Sequence, residues 1–346
     1  MKQFYTFILL TGITILSFNT HAQSFDEPVE YLQFISDEHQ DLTKQMWKYT
    51  KAIAHGKSDR NVKRKREKLV DMMQESIEKI QKAGSYNKEN DFKQKIINNL
   101  QINKSLMNNE YNKIIDMKEV AQQSYDKMEA YMLAQEMADQ KMEEAQKDYE
   151  TYFDQYAEKY DIQINEQETD LGKKMRISGE VFSHYNDTYL IFFKSNMNES
   201  YLMKALESGD VSAIQQTANA LKASAEEGIA QLDTLSAYKN DKALINATKK
   251  ALGFYLEEVN THVPTLTNFL IVNEDFETIK KNLENTPQKK RTQEMIDAYN
   301  KKVKEMNEGV NKFNNTNNIL NQKRQKFIGQ VNQTIEQYLD KHIPND

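Results

Sequence analysis

The sequence predicts an all-α protein, an elongated helical bundle with two long coiled-coil-like helices and a tandem duplication of a three-helix unit. Three observations predict this fold. Only 4 of the 346 residues are proline and 10 are glycine, while residues that lose little freedom on entering a helix predominate. Two long stretches repeat apolar residues at alternating spacings of three and four. Two parts of the chain also align with each other.

The first 22 residues have the order of a secretory signal peptide. Lys2 is followed by an apolar run from Phe4 to Phe18 and by small residues as far as Ala22, which is how such a peptide arranges its basic, apolar and cleavage regions. We therefore expect cleavage near Ala22 and export to the periplasm or the cell surface. The alternative is an uncleaved membrane anchor, although the apolar run is short for a spanning helix.

The chain contains no cysteine. Disulfide bonds, thiol chemistry, cysteine-ligated metals and a lipid-carrying cysteine are therefore excluded, and we do not expect a lipoprotein. The formal net charge is −6, which gives no overall preference for nucleic acid or for anionic membranes. We expect no nucleic-acid partner.

The stretch YTKAIAHGKSD aligns with LMKALESGDVS, which places Gly56 opposite Gly209. Each glycine is predicted to be a left-handed residue that ends one helix, with Ser58 and Asp210 at the start of the next. We interpret the alignment as a duplication, and chance similarity of amphipathic helices is the alternative. The predicted division is a signal peptide (1–22), a first helical half (23–165) and a second half (166–346), with a linker at 159–180.

Two stretches carry the heptad pattern of a coiled-coil seam. The first runs from Ile114 to Tyr156 and is predicted to be one continuous helix. The second runs from Ile296 to Val331, with Asn317 and Arg324 at otherwise apolar positions. Such polar residues either fix the register of a buried seam or extend to solvent at its edge. We expect the two helices to pack together in an elongated monomer, with a homodimer as the alternative.

Motifs for nucleotide binding, metal binding and catalysis are not found. Gly56-Lys57-Ser58 resembles the end of a phosphate-binding loop, but Lys51 stands where the loop requires its first glycine, and a predicted helix precedes it. The pairs Glu180–His184 and Glu258–His262 are spaced by four residues, whereas di-iron bundles use a spacing of three. We expect no enzymatic activity, no cofactor and no metal.

Five residues are candidates for a surface that binds a partner or ligand. Arg66 belongs to the basic cluster RNVKRKREK, which suits an acidic glycan or a lipid headgroup. A solvated helix face with one packed arginine is the alternative. The other four are aromatic residues that could line a pocket for a lipid or glycan, or could equally pack in the core. They are Trp47, Tyr49, Tyr189 and Phe193.

Several longer segments carry a family resemblance. They are WKYTKAIAHGKSDRNVKRKREKL, QQSYDKMEAYMLAQEMA, YLIFFK and NQKRQKF with the later IEQYLDKHIP, in this order along the chain. With these segments the chain resembles an uncharacterised helical surface-protein family of Leptospira and Bacteroidetes bacteria. The resemblance implies an envelope or surface location and a helical fold, and it supplies no catalytic residues.

The sequence therefore predicts an exported protein of the cell envelope or surface that acts as a non-enzymatic binding or scaffolding module. The expected partner is another envelope protein. One alternative is a helical protein that binds a lipid or glycan. A further alternative is a toxin-like protein that inserts into membranes, although the longest apolar runs after Ala22 are much shorter than a spanning helix.

Overall fold

The computed structural model describes residues 24–164 and 168–345, except for the side chain of Glu119. The predicted signal peptide lies outside the described residues. Within the described ranges every regular element is a helix and none is a strand, so the all-α prediction is confirmed. None of the described helices is both long enough and apolar enough to cross a membrane. The α-helices are α1 (Pro28–Ala54), α2 (Asp59–Lys82), α3 (Asn90–Ser105), α4 (Tyr111–Ala121), α5 (Tyr125–Lys159), α6 (Asp170–Ser208), α7 (Val211–Thr234), α8 (Ala243–Glu257), α9 (Val263–Asn285) and α10 (Gln293–His342).

Glycines with positive φ separate α1 from α2 and α6 from α7. Gly56 has φ 59° and Gly209 has φ 70°, the left-handed conformation that glycine adopts without steric cost. After α1 the N–H of Lys57 donates to the carbonyl of Ala52, five residues earlier, at 3.0 Å. This is the hydrogen bond that defines a Schellman cap. The residues that follow differ: Asp210 accepts a hydrogen bond from the N–H of Ala213 at 3.0 Å, whereas the side chain of Ser58 makes no cap.

The predicted continuous helix from Ile114 to Tyr156 is wrong, because the chain turns between α4 and α5. Ser124 is the N-cap of α5, and its side chain accepts a hydrogen bond from the N–H of Lys127 at 3.3 Å. α4 and α5 pack against each other as a helical hairpin. The stretch therefore forms no single seam: its first part packs as this hairpin, and Tyr149 and Tyr156 pack against α1 and α3.

The predicted linker at 159–180 is also too long, because α6 begins at Asp170. Thr169 caps this helix: its hydroxyl accepts from the N–H of Gly172 at 3.1 Å, and its carbonyl accepts from the N–H of Lys173 at 2.9 Å. Gly172 therefore lies inside the first turn of α6, so a glycine in this segment does not mark a loop.

The chain forms two compact units. Unit 1 consists of the described residues as far as Asn186 together with those from Glu336 onward, and unit 2 is Asp187–Ile335. In unit 1, α1, α2, α3 and α5 bury a core that includes a stack of Phe92 on Tyr156, with ring centroids 4.5 Å apart. The core of unit 2 is mainly aliphatic, with Leu202, Leu221, Leu252 and Leu266 all fully buried.

The same sequence of elements occurs twice. α2 and α7 both have 24 residues, and each is followed by a short 3₁₀ turn with a left-handed residue, Asn87 (φ 49°) or Lys239 (φ 48°). α3 and α8 then each run into a π-helical segment of 5 residues, Leu106–Glu110 and Glu258–His262. α4 and α9 continue directly from these segments.

Candidate functional site

A buried ion-pair network lies at the π-helical segment of unit 2. Arg324 on α10 donates through Nη2 to Oε1 of Glu258 at 2.8 Å, and through Nε to Glu199 on α6. Glu258 is fully buried and Glu199 is 4 % exposed. One guanidinium is therefore shared by two carboxylates from two different helices.

Polar neighbours support the arginine but leave one carboxylate oxygen unsatisfied. Arg324 also donates to Oδ1 of Asn321 at 2.7 Å, and the hydroxyl of Tyr255 donates to Oδ1 of Asn196 at 2.9 Å. Oε2 of Glu258 is buried and has no hydrogen-bonding partner among the described residues. Burying a charge without full hydrogen bonding costs free energy, so this environment favours the protonated, neutral form of the Glu258 carboxyl group.

The electrostatics of the network follow from this geometry. Burial, followed by the nearby charge of Glu199, raises the pKa of Glu258 to about 7, against the opposing effect of Arg324. Burial also raises the pKa of Glu199, and Arg324 again opposes the shift. Because both carboxyl groups lie in the core, the network orders α6, α8 and α10 within unit 2 and does not present a reactive group to a solute.

Arg324 occupies one of the two polar positions of the predicted second seam. Its side chain is 15 % exposed and is paired with Glu199 and Glu258. It therefore points inward and does not extend to solvent, whereas Asn317 is half-buried.

In unit 1 the predicted site residue Arg66 is packed beneath the surface. It is 4 % exposed. Its Nη1 donates to the carbonyl of Met107 in the first π-helical segment at 2.8 Å, and its Nη2 donates to Oδ1 of Asn112 at 3.0 Å. Lys63 and Arg64 in the same basic cluster are exposed. Arg66 thus braces the π-helical segment, and the other cations form the solvated face of α2.

The four predicted aromatic site residues are divided between the units. Trp47 and Tyr49 lie in unit 1 and are 6 % and 5 % exposed, and the ring of Tyr49 meets that of Tyr111 edge-on. Phe193 and Tyr189 lie in unit 2, where Phe193 is 5 % exposed and Tyr189 is half-buried. The structure therefore places these rings mainly within the two cores and does not gather them at one surface.

A surface groove runs along the hairpin formed by α9 and α10. Phe269 packs against Gly309 so closely that a Cβ on Gly309 would lie 2.9 Å from the ring. The ring of Phe269 also contacts that of Phe313, with centroids 4.6 Å apart. The groove has a volume of about 290 Å³, and its charged and apolar lining includes Phe269, Val272, Glu305, Glu308, Gly309 and Lys312.

The α9–α10 hairpin is longer than its counterpart in unit 1. α4 has 11 residues, whereas α9 has 23. Beyond Leu266, α9 has no buried residue. The apolar side chains that α9 turns toward α10 there, such as Phe269 and Phe276, are only partly covered. The side chains of Ile271 and Ile296 are 43 % and 37 % exposed.

Sequence reasoning considered Glu258 only as a possible metal ligand with His262, and it did not identify Glu199, the pairing of Glu258 with Arg324, or the groove. The available signal was Arg324 at a seam position, since a buried arginine requires anionic partners. Nowhere in the described ranges do three or more acidic or histidine side chains come together as metal ligands. Comparison with protein-family models, with curated proteins and with solved structures gave no match, so function is argued from the geometry.

Proposed function

We propose that this protein is an exported, non-enzymatic scaffold of the cell envelope that docks a partner protein through the α9–α10 hairpin. The observation that carries the proposal is the half-buried apolar seam of this hairpin together with the groove beside it. A pair of helices covers only one side of each apolar stripe, and the uncovered side is the kind of surface that accepts an amphipathic helix of a partner.

The packing along the seam supports a docking role. The ring pairs Phe269–Phe313 and Phe276–Tyr299 have centroid separations of 4.6 and 5.9 Å, so the two helices are in contact at two levels of the hairpin. A hairpin held in this way offers a preorganised surface, which lowers the entropic cost of binding. We propose that α9 and α10 form a short, coiled-coil-like pair of this kind.

Sequence features support the proposed location. The signal-like order of the first 22 residues and the resemblance to a bacterial surface-protein family both favour export. The lipid-or-glycan alternative receives no support from Trp47, Tyr49 and Phe193, because these side chains are buried.

We further propose that the two units arose by tandem duplication of a helical module. The recurring order of glycine turn, 24-residue helix, left-handed 3₁₀ turn and π-helical segment supports this proposal. On this basis the longer arm of α9 and α10 is the part in which the second copy acquired its docking surface.

Site-specific photocrosslinking in living cells tests the docking role. A photoreactive amino acid at Ile296 is expected to give one dominant protein adduct, because this side chain lies at the exposed edge of the seam. The matched control is the same amino acid at Glu67, an exposed position on α2. Equal adducts from both positions, or none from Ile296, would contradict the proposal.

A further inference from the structure

The tip of the α9–α10 hairpin is basic. Lys289, Lys290 and Arg291 follow one another in the turn and are exposed. Nε of Arg291 donates to the carbonyl of Thr286 at 2.9 Å and so holds the turn closed. Among the described residues neither Lys289 nor Lys290 has an ion-pair partner, so two cations at the end of the arm are available to an external anion.

The groove further along the same hairpin carries carboxylates above an apolar floor. Glu308 is exposed and makes no ion pair within the described ranges. Glu305 is paired with Lys302 at 3.0 Å, and Lys312 also lines the groove, so Glu308 is the carboxylate that an external cation meets. Phe269 and Val272 line the groove beside them. Such a surface suits a lysine side chain, whose hydrocarbon stem covers apolar groups while its ammonium group meets a carboxylate.

The tip of one hairpin is too far away to reach its own groove. From Gln293, the first residue of α10, to Glu308 the helix rises about 22 Å at 1.5 Å per residue. A lysine side chain spans only a fraction of that distance. Lys289 and Lys290 can therefore meet Glu308 only between two molecules.

We infer that the α9–α10 hairpin docks onto the same hairpin of a second copy of this chain, antiparallel, with each basic tip in the partner's groove. This inference rests on the proposed docking function and names the partner. A two-fold axis makes the tip-to-groove contact occur twice. It passes midway between tip and groove, where the seam carries Phe276 and Tyr299, so the apolar part of the arm lies at the centre of the interface and the charged pairs at its ends.

Light scattering after size-exclusion chromatography of the full mature chain tests the inference. We expect a dimer, which Lys289→Glu with Lys290→Glu weakens by about tenfold or more, because like charges then face each other across the interface. Glu308→Lys is expected to have a similar effect. The three substitutions together restore pairing, because the opposite charges are exchanged. Arg291 is left unchanged because it holds the turn closed, and Glu305 is left unchanged because it is already paired with Lys302.

The matched control is Lys63→Glu with Lys68→Glu, an equal change of charge on the exposed face of α2, which is expected to leave the dimer intact. A wild-type chain that stays monomeric would overturn the inference. So would a dimer whose affinity is unchanged both by Lys289→Glu with Lys290→Glu and by Glu308→Lys. In that case a photocrosslink from Ile296 to a different protein would keep the docking function. If the photoreactive amino acid at Ile296 gives no adduct at all, the proposed docking function is contradicted as well.

Discussion

The buried carboxyl group of Glu258 is expected to make the unfolding free energy depend on pH. Its ordinary pKa of 4.5 is raised to about 7 in the folded chain, first by burial and then by Glu199. Between these two values the folded chain keeps a proton that the unfolded chain has lost. Stability is therefore lost as pH rises across this window. Tyr255 and Arg324 are the other ionisable groups of the network.

Replacing Glu258 with glutamine should remove its contribution to this dependence and leave the smaller one from Glu199, whose pKa is also raised by burial. At about 1.4 kcal/mol per pH unit, the contribution of Glu258 to the unfolding free energy changes by about 3 kcal/mol at most across the window. The Glu258→Gln variant is therefore expected to gain stability relative to the wild type as pH rises from below 4.5 to above 7. Urea unfolding at a series of pH values measures the difference.

The neighbouring residue provides the control for that experiment. The pKa of Glu257 is lowered, mainly by a hydrogen bond from Lys323, and this side chain is 42 % exposed. Glu257→Gln is expected to change stability little, and in the opposite direction with pH. An unchanged pH dependence in Glu258→Gln would show that this carboxyl group does not carry the effect.

A substitution at Gly209 measures the free-energy cost of the left-handed backbone conformation separately from any packing effect. A Cβ at this position meets no atom within 4 Å, so only the φ of 70° opposes a side chain. Gly209→Ala is expected to reduce stability by about 1–2 kcal/mol. Gly329→Ala on α10 is the control, because it also meets open space but lies in an ordinary helix, where alanine stabilises by about 0.5–1 kcal/mol. Thermal unfolding of both variants should show shifts of opposite sign.

At the scale of elements, the first π-helical segment depends on Arg66. Arg66→Met removes both donated hydrogen bonds, one to the buried carbonyl of Met107 and one to Oδ1 of Asn112. It is therefore expected to cost about 1–3 kcal/mol of unfolding free energy, the usual cost of removing one partner of a buried hydrogen bond. Arg64→Met, on the exposed face of the same helix, should cost little. Chemical denaturation of the two variants gives the comparison, and equal losses would contradict the bracing role.

The helices follow from the sequence because helix formers, apolar periodicity and the two glycine turns all agree. The turn between α4 and α5 escapes this reasoning, because Ser124 occupies a seam position of the heptad count and also caps a helix. The π-helical segments escape it because they require no distinctive residue type. Glu258 is hidden because its partner Arg324 is 66 positions away along the chain, and periodicity records only local spacing.

At the scale of the whole molecule, the last turn of α10 and the residues after it complete unit 1. Nζ of Lys51 donates to the carbonyl of Asn345 at 2.7 Å, and Nδ1 of His55 lies 2.6 Å from Oδ1 of Asp340. Ile343 is 1 % exposed. The end of α1 is thus held by a segment from the far end of the chain.

Removing the side chain of Ile343 should loosen this closure. Ile343→Ala is expected to destabilise unit 1 by about 2–5 kcal/mol, the usual cost of truncating a buried isoleucine to alanine. Hydrogen exchange is expected to accelerate in α1 and to remain unchanged in α7, which belongs to unit 2. Gln337→Ala, at an exposed position of the same helix, is the control. Equal acceleration in both helices would show that the effect is not confined to unit 1.

The division of the chain also determines the order in which it is finished on the ribosome. Unit 2 is continuous from Asp187 to Ile335, whereas unit 1 requires residues from Glu336 onward. At about 5–20 residues per second, the ribosome takes on the order of 10–30 s to make the intervening stretch. During that time the part made first lacks its final packing partners. The leading half of the nascent chain therefore reaches its final packing only after nearly the whole chain has been made.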